Sequence, residues 1–302
     1  MTSARHPAWS GFLLAIAGAI AFSGKAIIVK LTYRYGVDAV TVIMYRMLFA
    51  LPFFVGMALW AERQTQSREN PLSRRDALSI VGLGVIGYYL SSYLDFLGLQ
   101  YISASLERLI LYLNPTLVLV LTWLLYRQPI RPARLLAMGV SYSGVLLVFG
   151  HELGLSGSNV AWGSVLVLAS AISYAVYLLY SGQLVRRIGS VRLVGWATSV
   201  ACLCCIAQFL VLRPLSAAVV PGEVLWLALL NATACTLAPV LMVMMAIERI
   251  GASLTAQIGM VGPMSTIVLS VWLLGEPLNT WVGAGTLLVL SGVFIVSKYG
   301  VK

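Results

Sequence analysis

The sequence predicts an all-α integral membrane protein of ten transmembrane helices, arranged as two inverted five-helix repeats. Three observations carry this. The 302 residues are 60% hydrophobic and only 10% charged, with a mean hydropathy of +0.92; ordinary soluble domains are about half apolar and about a quarter charged. Ten apolar runs of span length follow one another with short loops between them. The two halves of the chain also match each other at an offset of 148 residues.

The runs cover 11–34, 38–60, 77–98, 103–126, 132–150, 160–182, 192–212, 222–247, 253–274 and 278–298. The first, Gly11 to Leu31, is longer than the roughly 7–15 residues of a signal-peptide core, so it reads as a retained span. The loop before the third, AERQTQSRENPLSRRD, is polar and the longest, yet too short for a soluble domain. The fourth carries Glu107, Arg108 and Pro115; the fifth has a row of small residues, Ala133, Ala137 and Ser141, that permits close helix packing. The seventh holds Cys202, Cys204 and Cys205 and the eighth Cys235, with the spacing of neither a zinc site nor a redox pair.

Basic residues set the orientation. With the N-terminus in the cytoplasm, fourteen Lys and Arg, from Arg5 through Lys302, fall on inner segments. Only Lys30, Arg34 and Arg213 fall outside. The expectation is a multi-pass protein of the inner membrane with both termini cytoplasmic. The same scatter over short loops argues against nucleic acid as the partner of the net +10 charge. The partners expected are the lipid bilayer and a small-molecule substrate, in a monomer or homodimer. No nucleophile elbow, phosphate loop or metal cluster is present, so no enzyme, cofactor or metal is expected.

At the 148-residue offset, Ala104-Ser105-Leu106 faces Ala252-Ser253-Leu254, and Pro115 and Pro129 face Pro263 and Pro277. Ser143-Gly144-Val145 likewise faces Ser291-Gly292-Val293. The repeats divide the chain at 1–150 and 151–302. Five spans per copy is odd, so the second copy enters the membrane from the opposite side, an arrangement that places transporter sites near the midplane between the halves.

These residues resemble the drug/metabolite transporter superfamily, EamA type: ASL, a proline, a second proline and SGV in each copy, with Gly275-Glu276-Pro277 in the second. Arg127-Gln128-Pro129 departs from that pattern in the first copy, with Gln128 at the position of Glu276. The stretch YRMLFALPF (45–53) resembles the second span of the family, arginine included. The resemblance implies a basket of two halves, a cavity lined by spans 1, 3, 4, 6, 8 and 9, and spans 5 and 10 at the periphery. It implies secondary transport of a small metabolite by alternating access, with export of an amino-acid-like or organic-anion solute as the expectation. The alternative is a membrane-embedded solute-binding or sensor protein without flux.

Five ionisable side chains fall deep within spans: Lys25, Arg46, Asp95, Glu107 and Arg108. All belong to the first repeat and to its outer half, roughly 5–14 Å from the outer ends at about 1.5 Å per residue. Such groups face a cavity, a partner or both. Arg108 is expected to pair with Asp95, and Glu107 with Lys25 or Arg46, as a structural network or an outer gate. Three cations face two anions. A surplus cation would attract a substrate carboxylate or phosphate, with Lys25 the leading candidate. A proton-carrying role for Asp95 or Glu107 is the other reading.

Further cavity candidates are uncharged. Tyr174, Tyr177 and Tyr180 form a helical stripe, read as a stacking wall or as helix packing. Tyr88, Tyr89 and Tyr93 invite the same two readings. Asn231, Thr233 and Gln257 line the cavity or bridge helices. Pro115 and Pro263 are helix hinges or static kinks.

Overall fold

The computed structural model describes residues 8–64, 71–127, 132–156, 158–250, 258–259 and 261–299. These residues are mostly helical, with no strand among them. Helix α1 is Ala8–Tyr33, α2 Ala39–Glu62 and α3 Arg74–Gly98. Helix α4 comprises Ala104–Leu111 and Asn114–Tyr126, α5 is Pro132–Ser156, α6 Ser158–Ile188 and α7 Ser190–Leu212. Helix α8 runs as Gly222–Ala232, Thr233–Leu237 and Ala238–Ile250, α9 as Val261–Leu269 and Ser270–Leu274, and α10 is Thr280–Tyr299.

Helices α1 to α8 are long and apolar enough to cross a membrane. The apolar stretches of α9 and α10, Met264–Leu274 and Thr280–Gly292, are shorter over the described residues. The expected ninth span begins at 253, and residues 251–257 and 260 lie outside the description, Gln257 and Thr255 with them.

Local chemistry sets the ends. The Asp38 carboxylate accepts from Val40 N (2.9 Å) and Thr41 N (3.3 Å) to cap α2. Ser73 and Asp76 form a reciprocal capping box at α3. Ser103 Oγ accepts from Leu106 N at 3.0 Å to start α4. Gly189, at φ 84°, makes the turn between α6 and α7.

Three helices carry π segments: Gly84–Leu90 in α3, Thr233–Leu237 in α8 and Ser270–Leu274 in α9. The 148-residue offset places Thr233–Leu237 opposite 85–89, inside the first of them. It also places Gly275, at φ 72°, opposite Arg127, at φ 52°; Arg127 is the one non-glycine with positive φ among the described residues. Helix α4, expected as one span, is broken at Tyr112 and Leu113. Pro115 has no N–H to continue the first half and is tolerated in the first turn of the second. The hinge reading of Pro115 therefore becomes a helix break. Pro263 is the third residue of Val261–Leu269; Gly259 before it is in a turn, and residue 260 lies outside the described residues.

Packing follows the same offset. Helix α1 packs on α8 and α9, and α6 on α3 and α4; α2 pairs with α7, and α5 with α10. At the α2–α7 contact, a Cβ on Gly195 would lie 2.9 Å from Ala58 backbone atoms. At the α5–α10 contact, a Cβ on Gly292 would lie 2.1 Å from Ser141 Oγ and 2.6 Å from Ala137 O. Ala137 and Ser141 of the small-residue row of α5 thus face α10 of the same chain.

Candidate functional site

A cavity of about 290 Å³ lies between the helices. Its walls come from α1, α2, α3, α4, α6, α7 and α8. One feature of the expected lining is corrected. Helices α2 and α7 contribute, through Arg46 and Phe54 on one and Val194 and Thr198 on the other, because the close α2–α7 packing brings both to the centre. No described residue of α9 lines it.

Lys25, Asp95, Glu107 and Arg108 form one chain of charges. Lys25 Nζ lies 2.5 Å from Asp95 Oδ2 and 3.6 Å from Glu107 Oε1. Arg108 Nε lies 3.9 Å from Glu107 Oε2, and its guanidinium donates to Phe22 O at 3.1 Å. The expected Arg108–Asp95 pair is not formed, because the α1 lysine reaches Asp95 first. Glu107 is fully buried behind Lys25, whereas Lys25, Asp95 and Arg108 border the cavity.

Arg46 stands apart from this chain. It is 7% exposed, and among the described residues it makes no salt bridge. Its Nε donates to Thr236 Oγ1 at 3.2 Å, and its guanidinium lies over the Phe96 ring, 5.2 Å from the centroid. One terminal nitrogen has no hydrogen-bond partner. The surplus cation is therefore Arg46, not Lys25, which is held by two carboxylates. Buried polar groups without partners are rare, and here five belong to described residues around one cavity: Arg46 Nη1, Asp95 Oδ1, Arg108 Nε, Asn114 Oδ1 and Thr198 Oγ1.

The tyrosine candidates separate. Tyr88 and Tyr174 line the cavity. Tyr177 is buried behind them, with its ring 4.9 Å from Tyr88 and 5.6 Å from Tyr174. Tyr180 is exposed on the outside of the bundle, since a spacing of three drifts round a helix of 3.6 residues per turn. Tyr89 and Tyr93 pack among the apolar residues between α2 and α7. Asn231 is buried within α8, and its backbone carbonyl accepts from Thr236 Oγ1 at 2.8 Å; it does not border the cavity.

Sequence reasoning missed Asn114, Tyr112 and Thr236, and the serine pair Ser91 and Ser170, whose hydroxyls lie 3.1 Å apart between α3 and α6. Asn114 was legible as an amide beside Pro115 in an apolar run. Thr236 was not, because threonines are common in spans and only the fold brings it to Arg46.

On the face carrying the α1–α2 and α3–α4 loops, two carboxylates hold the start of α4. Glu276 accepts from Ala104 N (2.8 Å) and Ser105 Oγ (2.9 Å), and Glu152 accepts from Ser103 Oγ. Anions are favoured there by the unpaired amides and dipole of a helix N-terminus. Arg34 donates to Leu274 O at 2.6 Å, and Arg213 pairs with Asp38 at 3.1 Å, tying the same face together. On the opposite face Arg192 pairs with Glu62 at 2.5 Å, and Arg187 with Asp76. No cluster of His, Cys, Asp and Glu that could hold a metal occurs among the described residues.

A helical bundle of membrane-crossing segments enclosing a polar, charged cavity is the architecture of a multi-pass transport protein. The sequence profile of the EamA-like transporter family matches residues 9–150 and again 161–298, so the chain belongs to that family. It is 30% identical over 302 residues to a Bacillus subtilis (strain 168) protein named uncharacterized transporter YcbK, covering 95% of this chain and 91% of that one. It is 25% identical over 236 residues to the Salmonella typhimurium inner membrane transporter YicL, itself named uncharacterized, covering 74% of each chain. A solved crystal structure shares the fold, with a TM-score of 0.62 at 16% identity, over 97% of this chain and 99% of that one.

Proposed function

We propose that the protein is a secondary carrier that moves a small amino-acid-like or organic-anion solute through the central cavity by alternating access. The observation that carries this is Arg46: a buried guanidinium with an unpartnered nitrogen, facing a cavity of about 290 Å³, offers a docking point for a solute's carboxylate. The volume sits at the low end for ligand pockets, which suits a small metabolite. The site would lie between two repeats, 1–150 and 151–302, in a protein working as a monomer. Residence in the inner membrane with both termini cytoplasmic is supported by the fourteen-to-three bias of basic residues. The α1–α2 loop face would then be external. Export is the proposed net direction.

The test is counterflow. Proteoliposomes loaded with unlabelled amino acids and monocarboxylates are placed in the isotope-labelled mixture, with neither ATP nor an ion gradient. Wild-type protein is expected to accumulate label, and Arg46→Gln to lose at least about tenfold in rate, the scale of one charge-assisted hydrogen bond. No uptake above protein-free liposomes would overturn the reading, and binding without flux would identify a sensor. Right-side-out and inverted vesicles separate export from import.

A further inference from the structure

Within the reading of this cavity as the carrier site, we propose that the solute is a small aromatic monocarboxylate. Its carboxylate would pair with Arg46, and its ring would lie against the Tyr88–Tyr174 wall.

The charge count comes first. Lys25 and Arg108 are matched by Asp95 and Glu107 in one connected chain. Among the described residues around the cavity, Arg46 is the charge left unmatched. A monoanion brings the cavity to neutrality, a zwitterion leaves the surplus in place, and a dianion overshoots. Burying an uncompensated charge is costly, so the monoanion is favoured. Asp95 keeps one oxygen without a donor, which could invite an ammonium group. That group would compete with Lys25, already 2.5 Å from the same carboxylate, and would leave Arg46 unanswered. A neutral hydroxyl on the ring could donate to that oxygen without altering the count.

The wall comes second. Among the described residues, five aromatic side chains border the cavity: Phe22, Phe54, Tyr88, Tyr112 and Tyr174. The hydroxyls of two are already used. Tyr112 donates to Gly259 O at 2.6 Å, and Tyr88 shares a hydrogen bond with Tyr177 at 3.2 Å. What these tyrosines offer a solute is ring surface. Tyr177, buried and stacked on Tyr174, fixes the position of that surface. Ring-on-ring contact adds to the area term and rewards a planar π system over an aliphatic ring of equal size.

The experiment is calorimetric titration of the purified full-length protein with benzoate, phenylalanine, cyclohexanecarboxylate and benzamide. These share a six-membered ring and differ in charge and π character. Benzoate is expected to bind about tenfold more tightly than phenylalanine or benzamide, and about two- to tenfold more tightly than cyclohexanecarboxylate. Arg46→Gln should erase the preference for benzoate over benzamide, and Arg46→Lys, which keeps the charge, should retain it in part. Tyr174→Leu should erase the preference over cyclohexanecarboxylate alone. Phenylalanine binding as well as benzoate, or cyclohexanecarboxylate as well as benzoate, overturns the assignment. If amino acids exchange in an Arg46-dependent way while benzoate neither binds nor exchanges, the substrate class fails and the carrier reading stands. If no solute exchanges at all, the carrier reading fails on its own, whatever the titrations show.

Discussion

Lys25 Nζ lies between Asp95 Oδ2, at 2.5 Å, and Glu107 Oε1, at 3.6 Å, so one ammonium from α1 joins carboxylates on α3 and α4. Both carboxylates are almost wholly buried, at 2% and 0% side-chain exposure. Removing one partner of a buried pair strands the other, at a cost of about 3–5 kcal/mol, while replacing both can be nearly neutral. Lys25→Met should therefore lower the thermal midpoint sharply, and Lys25→Met with Asp95→Asn should recover part of the loss. Thermal unfolding in detergent measures this. Equal midpoints for Lys25→Met and wild type would show that the bridge contributes nothing.

Arg46 predicts the opposite behaviour. Its guanidinium carries no salt bridge among the described residues, so Arg46→Gln removes a buried charge without stranding a carboxylate. The midpoint should stay within about 1 kcal/mol of wild type, or rise, while solute binding falls. A drop as large as that of Lys25→Met would make Arg46 a structural residue.

Arg127 closes α4 with φ 52°, where the 148-residue offset places Gly275, at φ 72°, at the end of α9. The left-handed conformation costs an L-residue roughly 1–2 kcal/mol, and glycine adopts it freely. Arg127→Gly should stabilise the protein by about 1 kcal/mol. Gly275→Arg should destabilise it by a similar amount, and the two shifts in midpoint are the readout.

Glu276 holds the first amides of α4 across the α9–α10 and α3–α4 loops. Glu276→Ala removes that acceptor, a loss comparable to an N-cap at about 0.5–2 kcal/mol. Hydrogen exchange at Ala104 and Ser105 should speed up by about tenfold, while exchange in the α5–α10 pair stays unchanged. Uniform acceleration across the bundle would assign Glu276 a global role instead.

Gly292 packs against Ser141 and Ala137 with no room for a Cβ. Gly292→Val should separate α5 from α10 and cost about 1–3 kcal/mol or more, as overpacking does. Retention of the wild-type midpoint would show that this contact is loose.

Much of the fold was legible because a bilayer enforces one rule, that each span satisfies its own backbone in helices. Runs of about 20 apolar residues therefore mark the elements directly, and the paired prolines and SGV triplets mark the repeat. The break at Tyr112 and Leu113 was foreshadowed by Pro115, though not its form. The site was legible by residue type, since charges in spans are too costly to be incidental. Pairing was not. Whether Asp95 meets Lys25 or Arg108 depends on which helix stands beside α3, and that is a tertiary fact. The same limit made Lys25 look like the free cation. Only the fold shows that two carboxylates hold it and that Thr236 and Phe96 are what surround Arg46. Tyr180, at the far end of the stripe, shows how a spacing of three drifts off one face.

The central claim is that solute crosses through the cavity bounded by Arg46, Asn114 and Thr198. The most direct measurement is counterflow with Thr198→Trp, which fills the cavity, beside Leu146→Trp, which places the same bulk on an exposed position of α5. Both variants are checked for a wild-type thermal midpoint. The account predicts that Thr198→Trp loses at least about tenfold in exchange rate, since a blocked site removes the solute's docking energy, and that Leu146→Trp exchanges like wild type. Undiminished exchange by a folded Thr198→Trp protein would contradict it.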